Sequence, residues 1–177
     1  MKQSARSKVV LFLSVIILTF LIGSCKKDGG QGSANTPRTT NVPDEFVGIW
    51  YYGDVSSFEI FSNGHYDNSV GSGQYYSFNK NGTFEFAYRN YVMEGRCANI
   101  GGAYRKGTFT VEGNKLTLYD NYAKLLEEHS CNPSSNYDKD TEKKNEVIFA
   151  QPGEDNYGSH GIYLNNPGQG ASFFRKM

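Results

Sequence analysis

Residues 74–89 read Gln-Tyr-Tyr-Ser-Phe-Asn-Lys-Asn-Gly-Thr-Phe-Glu-Phe-Ala-Tyr-Arg. Side chains alternate across a strand, so Tyr76 and Phe78 share one face while Tyr75 and Ser77 take the other. Asn79-Lys80-Asn81-Gly82 is a turn, because Asn and Gly tolerate positive φ. The chain then returns from Thr83 to Tyr91, with Phe84, Phe86 and Tyr88 on one face and Glu85, Ala87 and Arg89 on the other. This is a β-hairpin with one apolar face.

The same grammar extends in both directions. Downstream, Gly107 to Val111 places Phe109 and Val111 inward, Gly113-Asn114 suits a two-residue type II′ loop, and Lys115 to Tyr119 points Leu116 and Leu118 inward. Glu146 to Ala150 reads as a strand with Val147 and Phe149 inward, and Gly161 to Leu164 as one with Ile162 and Leu164 inward. Ala171 to Arg175 ends the series. Upstream, Gly48-Ile49-Trp50-Tyr51-Tyr52 starts it, with Val47, Ile49 and Tyr51 on one face and Trp50 and Tyr52 on the other. Ser57 to Phe61 is a further candidate strand. The nearest approach to a helical period is Asn121 to His129, worth one or two turns. About eight short antiparallel strands in sequence order make an up-and-down meander, all-β, closing as a barrel or folding as a β-sandwich. Closure removes exposed strand edges, which favours the barrel.

Gly48-x-Trp50 at the head of the meander, Asn81-Gly82-Thr83-Phe84 in the first hairpin and Gly113-Asn114-Lys115-Leu116-Thr117-Leu118 in the second resemble the lipocalin-like domains found in lipoproteins of the Bacteroidetes. The resemblance runs over residues 46–119 and has no counterpart in the polar stretch Ser130 to Lys144. It implies a barrel whose narrow end is closed by Gly48 and Trp50, with a ligand mouth at the other end.

Ahead of the strands lie an address and a tether. Lys2, Arg6 and Lys8 precede an apolar run of 14 residues from Val9 to Ile22, a length that suits a signal-peptide core better than a membrane span. Ile22-Gly23-Ser24-Cys25 resembles a bacterial lipobox, which implies lipidation of Cys25 and a place on the cell envelope, with the outer membrane as the expected address. The expected division is a signal peptide over 1–24, a lipidated cysteine and flexible tether over 25–43, and one β-domain over 44–177. Residues 26–43 carry almost no apolar side chains and cannot offset the entropy cost of ordering.

The whole chain has 18 basic and 18 acidic residues; losing the three basic ones before Cys25 leaves 15 against 18, a formal charge of −3. Such a balance argues against nucleic acid as a partner. Cys97 and Cys131 are an even pair in an exported domain and read as a disulfide. His129-x-Cys131 is poor spacing for a metal, and Asp138-x-Asp140-x-Glu142 lacks both the turn glycine and the closing glutamate of a calcium loop, so neither metal nor cofactor is expected. There is no nucleophile elbow, phosphate loop or zinc-protease motif. His65 and His160 sit among Gly, Asn and Ser as turn residues. The reading is therefore non-enzymatic. Tyr and Phe in quantity either fill a small barrel or line a cavity for a small apolar or amphipathic ligand. Phe86, Tyr88, Tyr91 and Tyr104 are the candidate contacts. The competing reading is a surface module that meets glycan or protein through outward tyrosines such as Tyr75, Tyr119 and Tyr163.

Overall fold

A computed structural model describes residues 36–53, 71–168 and 170–177. Nine strands follow in order: β1 (Gly48–Gly53), β2 (Gly73–Phe78), β3 (Thr83–Glu94), β4 (Cys97–Glu112), β5 (Lys115–His129), β6 (Tyr137–Asp140), β7 (Asn145–Glu154), β8 (His160–Asn165) and β9 (Ser172–Lys176). All pairings are antiparallel, and each barrel strand pairs with the next. Trp50 opposite Lys176 and Tyr51 opposite Arg175 join β1 to β9 and close eight strands into a barrel. The ninth, β6, lies outside the ring and pairs with Lys124–Glu127 of β5. The candidate strand Ser57 to Phe61 lies outside the described residues; β1 pairs directly with β2 across that connection.

The expected inward residues of β2, β3 and β8 line the interior. Tyr76, Phe78, Phe84, Phe86, Phe109, Leu116, Leu118, Ile162, Leu164 and Phe174 form one core with Trp50, and most are fully buried. An eight-stranded barrel leaves an interior of about that width. The type II′ pattern holds at the β4–β5 turn: Gly113 has φ +63°, and no non-glycine described residue has positive φ. Gly95 (φ +66°) makes an equivalent two-residue connection between β3 and β4.

Three expectations are corrected. In β7 the inward residues are Ile148 and Ala150, both at 0% exposure, while Phe149 is 39% exposed. Val-Ile-Phe-Ala is apolar at both parities, so alternation was silent; the ladder decides, placing Ile148 opposite Leu116 and Glu146 opposite Leu118. Second, Asn121 to His129 is strand, not helix. A bulge interrupts the β4–β5 register between Lys106 and Gly107. Gly107 pairs with Asp120 and Lys106 with Tyr122, so Asn121 is extra and inward positions switch from even to odd numbers. That switch blurs the two-residue period and imitates a helical one. Gly107 is required there, because a Cβ would stand 1.9 Å from the Tyr119 carbonyl oxygen. Third, Cys97 to Ala103, which the sequence suggests is a loop at the same end as Ser62 to Gly73 and the segment after Tyr122, is the first half of β4 and pairs with β3 as far as Glu94.

The end of the presumed tether also belongs to the folded unit. Thr39 N–H donates to Phe109 O at 2.9 Å, Thr39 Oγ1 accepts from Val111 N–H at 2.9 Å, and Thr108 Oγ1 donates to Pro37 O at 2.9 Å. Val42, at 0% exposure, plugs into the core. Hydrogen bonds to β4 from backbone and threonine hydroxyls supply what composition could not.

Candidate functional site

Alternate connections of a meander lie at the same end, and here they sort the two ends by character. The turns at Asn79–Gly82, Gly113–Asn114 and Asp155–Ser159 share one end with the turn that leads into β1. That end is closed. Trp50 is buried and its Nε1–H donates to Phe46 O at 2.9 Å, with Phe46 and Val42 packed beneath it. Gly48 (φ +142°) leaves room for Lys176, since a Cβ would lie 2.8 Å from Lys176 Cε, and the ammonium stands 5.1 Å from the centre of the Trp50 ring system. Trp50 also lines a cleft of about 440 Å³, together with Glu45, Pro152, Glu154, His160 and Lys176. His160 and Glu154 form an ion pair there at 3.2 Å, and it is largely exposed.

The opposite end carries the projecting β3–β4 hairpin and the 130–144 connection. Cys97 and Cys131 are bonded there, their Cα atoms 5.4 Å apart. Asn99 opposes His129, so Cys97 and Cys131 continue that register two residues further. With its thiolate committed, Cys131 cannot serve a metal. Segment 130–144 contains a 3-10 turn over Pro133–Ser135 and then β6, whose Asp138 pairs with Lys124 at 2.7 Å.

Of the four candidate contacts, the structure brings two together. Phe86 and Tyr88 share the inner face; Phe86 is buried with its ring 4.7 Å from Tyr76, and Tyr88, further toward the end opposite Trp50, is 42% exposed. Tyr52, also at an inner position, is 46% exposed with its ring 5.6 Å from Phe174. Tyr104 and Tyr91 have the other parity. Tyr104 pairs with Ala87 and packs with it and Tyr75 in a second apolar cluster on the outer wall, 6.0 Å from the Tyr122 ring. Tyr91 stands 5.7 Å from the Arg89 guanidinium. Tyr91 is three positions on from Tyr88, an odd step, so a straight strand cannot turn both inward. Burial, with the charge and hydrogen bond of Glu85, pushes the Tyr104 hydroxyl pKa up to about 12.

Sequence reading missed a charged cluster at inward positions of the barrel. Arg105 shares its parity with Phe109 and projects inward, where Nε–H donates to Asp120 Oδ1 at 3.0 Å and Oδ2 at 2.9 Å, and Nη1–H donates to Glu146 Oε2. Lys144 N–H also donates to Asp120 Oδ2, at 3.0 Å. The guanidinium lies 5.6 Å from the Phe86 ring centre. Burial disfavours its charge, but the hydrogen bonds to Asp120 and Glu146 outweigh that and raise the Arg105 pKa above its ordinary value. Burial, and next the Glu146 charge, raise the Tyr76 hydroxyl well above the usual tyrosine range. The signal was available: Arg105 and Asp120 are charges at inward positions of otherwise apolar strands, where a charge needs a partner.

No protein-family model, no curated protein and no solved structure matches this chain.

Proposed function

We propose that this is a lipid-anchored protein of the bacterial cell envelope whose barrel takes a small apolar or amphipathic ligand through its open end, without catalysis. One observation carries the reading: inward-facing Tyr52 and Tyr88 stay about half exposed above a buried aromatic core, at the end opposite the Trp50 plug. Concave sites with aromatic walls and a few polar groups are the usual form of small-molecule pockets. The anchor follows from Ile22-Gly23-Ser24-Cys25, and the lipocalin-like resemblance agrees with both. The test is binding of a hydrophobic fluorophore. Tyr88→Ala should weaken it with folding intact, and Asn81→Ala or Asn114→Ala, at the closed end, should not. Absence of binding to the folded protein would refute the reading.

A second reading, an interaction module without a cavity, draws on the projecting hairpin. Val92 is 41% and Met93 51% exposed there, an apolar tip on a protein surface. Loss of partner binding in Met93→Glu, with fluorophore binding unchanged, would favour it.

A further inference from the structure

The open end has a charge preference written into its floor. Arg105, Asp120 and Glu146 form one cluster on the inner face, one cation against two anions, a formal charge of −1. The two carboxylates are not equivalent. Asp120 has a side-chain exposure of 0% and is held by both Arg105 and the Lys144 N–H. Glu146 keeps 26% exposure, against 15% for Arg105, and gives only Oε2 to the guanidinium. Its second oxygen accepts no hydrogen bond from the described residues. Arg105 Nη2 is buried and unpartnered, and of the three side chains Glu146 is the most exposed.

Resting on the reading of this end as a ligand mouth, we propose that its ligands are amphiphiles with a cationic amine head group, and that Glu146 receives the ammonium. The argument is a comparison of three head groups at one place. A carboxylate would bring a third anion to a site where two already share one guanidinium, away from bulk water, where like charges repel strongly. A hydroxyl would add a hydrogen bond and no charge. An ammonium would neutralise the cluster and donate to the unused oxygen of Glu146. The surrounding rings act in the same direction, because a π-face attracts a cation. Phe86 already faces the Arg105 guanidinium, and Tyr52 and Tyr88 stand at inner positions of the mouth. The alkyl body of such a ligand would lie against those same rings.

The experiment is displacement of Nile red, a neutral apolar dye, from the full-length chain by three ligands of equal chain length, each below its micelle-forming concentration: dodecylamine, dodecanol and laurate. The expected order is amine, then alcohol, then laurate, with at least a tenfold gap between amine and laurate at pH 7. In Glu146→Gln the amine should lose most of its advantage over dodecanol, and dodecanol should compete as before. Glu154→Gln, at the closed end, should change nothing. Laurate competing as well as the amine in the wild-type chain would overturn the charge preference, whatever the variants do. Displacement by dodecanol with no advantage for the amine would leave the mouth standing and remove this inference. If Nile red does not bind, or binds and none of the three displaces it, the mouth falls and this inference with it.

Discussion

The register of β7 can be tested by two neighbouring truncations whose order runs against side-chain size. Ile148 is fully buried opposite Leu116, in the core; Phe149, one residue on, is 39% exposed on the outer wall. Ile148→Ala removes three buried carbons, about 2.4 kcal/mol of transfer free energy at about 0.8 kcal/mol each. The enclosed cavity left behind adds to this, for a total of about 3–4 kcal/mol. Phe149→Ala removes a larger group, but the ring retains only part of the roughly 3 kcal/mol that full burial would contribute, and its loss opens onto solvent rather than a void. About 1–1.5 kcal/mol is expected. Guanidinium denaturation of the oxidised protein, with equal m-values confirming a common unfolding reaction, measures both. The thermal midpoint should drop by about 10 °C for Ile148→Ala, at roughly 2–4 °C per kcal/mol for a domain this size. If Phe149→Ala proves the more destabilising, β7 is one residue out of register and Glu146 cannot reach Arg105 inside the barrel.

Paired replacement of Cys97 and Cys131 by Ser should cost about 3–4 kcal/mol, for a bond spanning 34 residues of sequence; two alkylatable thiols in native, oxidised protein would refute the bond itself. Gly107→Ala, driving a Cβ to 1.9 Å from a carbonyl oxygen, should destabilise by about 3 kcal/mol or more, whereas Gly113→Ala, at φ +63° in open space, should cost only about 1–2 kcal/mol. Tyr75, Tyr76 and Tyr104 all have hydroxyl pKa values raised by burial, so the folded state keeps its protons longer than the unfolded one. Stability should hold below about pH 10 and fall above it, through about pH 12 for Tyr104; Tyr104→Phe should flatten that slope in denaturation curves taken from pH 8 to 12. Cys25→Ala should abolish lipidation and signal removal, read by metabolic labelling and intact mass; normal processing of the variant would remove the anchor from the proposal.

How far the chain could be read depended on contrast between its two faces. Where apolar and polar residues alternate, as in Thr83–Tyr88 and Lys115–Leu118, strand, turn and inward face were all legible, because only one register buries the apolar set. Where both parities are apolar, as in Val147–Ala150, or a bulge resets the count, as at Asn121, the same rule was mute or misleading. Thr36 to Pro43 looked like tether because the bonds that tie down Pro37, Thr39 and Val42 reach partners 38 or more residues away in sequence.

The site divides along the same line. The cysteine pair and the sharing of one end by the turns at Asn81-Gly82 and Gly113-Asn114 were available from residue order, since a meander sends alternate connections to the same end. The meeting of Arg105, Asp120 and Glu146 was not. They come from three strands, and Asp120 and Glu146 stand 15 and 41 residues beyond Arg105. They meet because β4, β5 and β7 lie side by side, and the registers of their ladders, with the bulge at Asn121, set these inward charges next to one another. Local alternation tells a strand which way is in; only the pairing of strands tells it what it will find there.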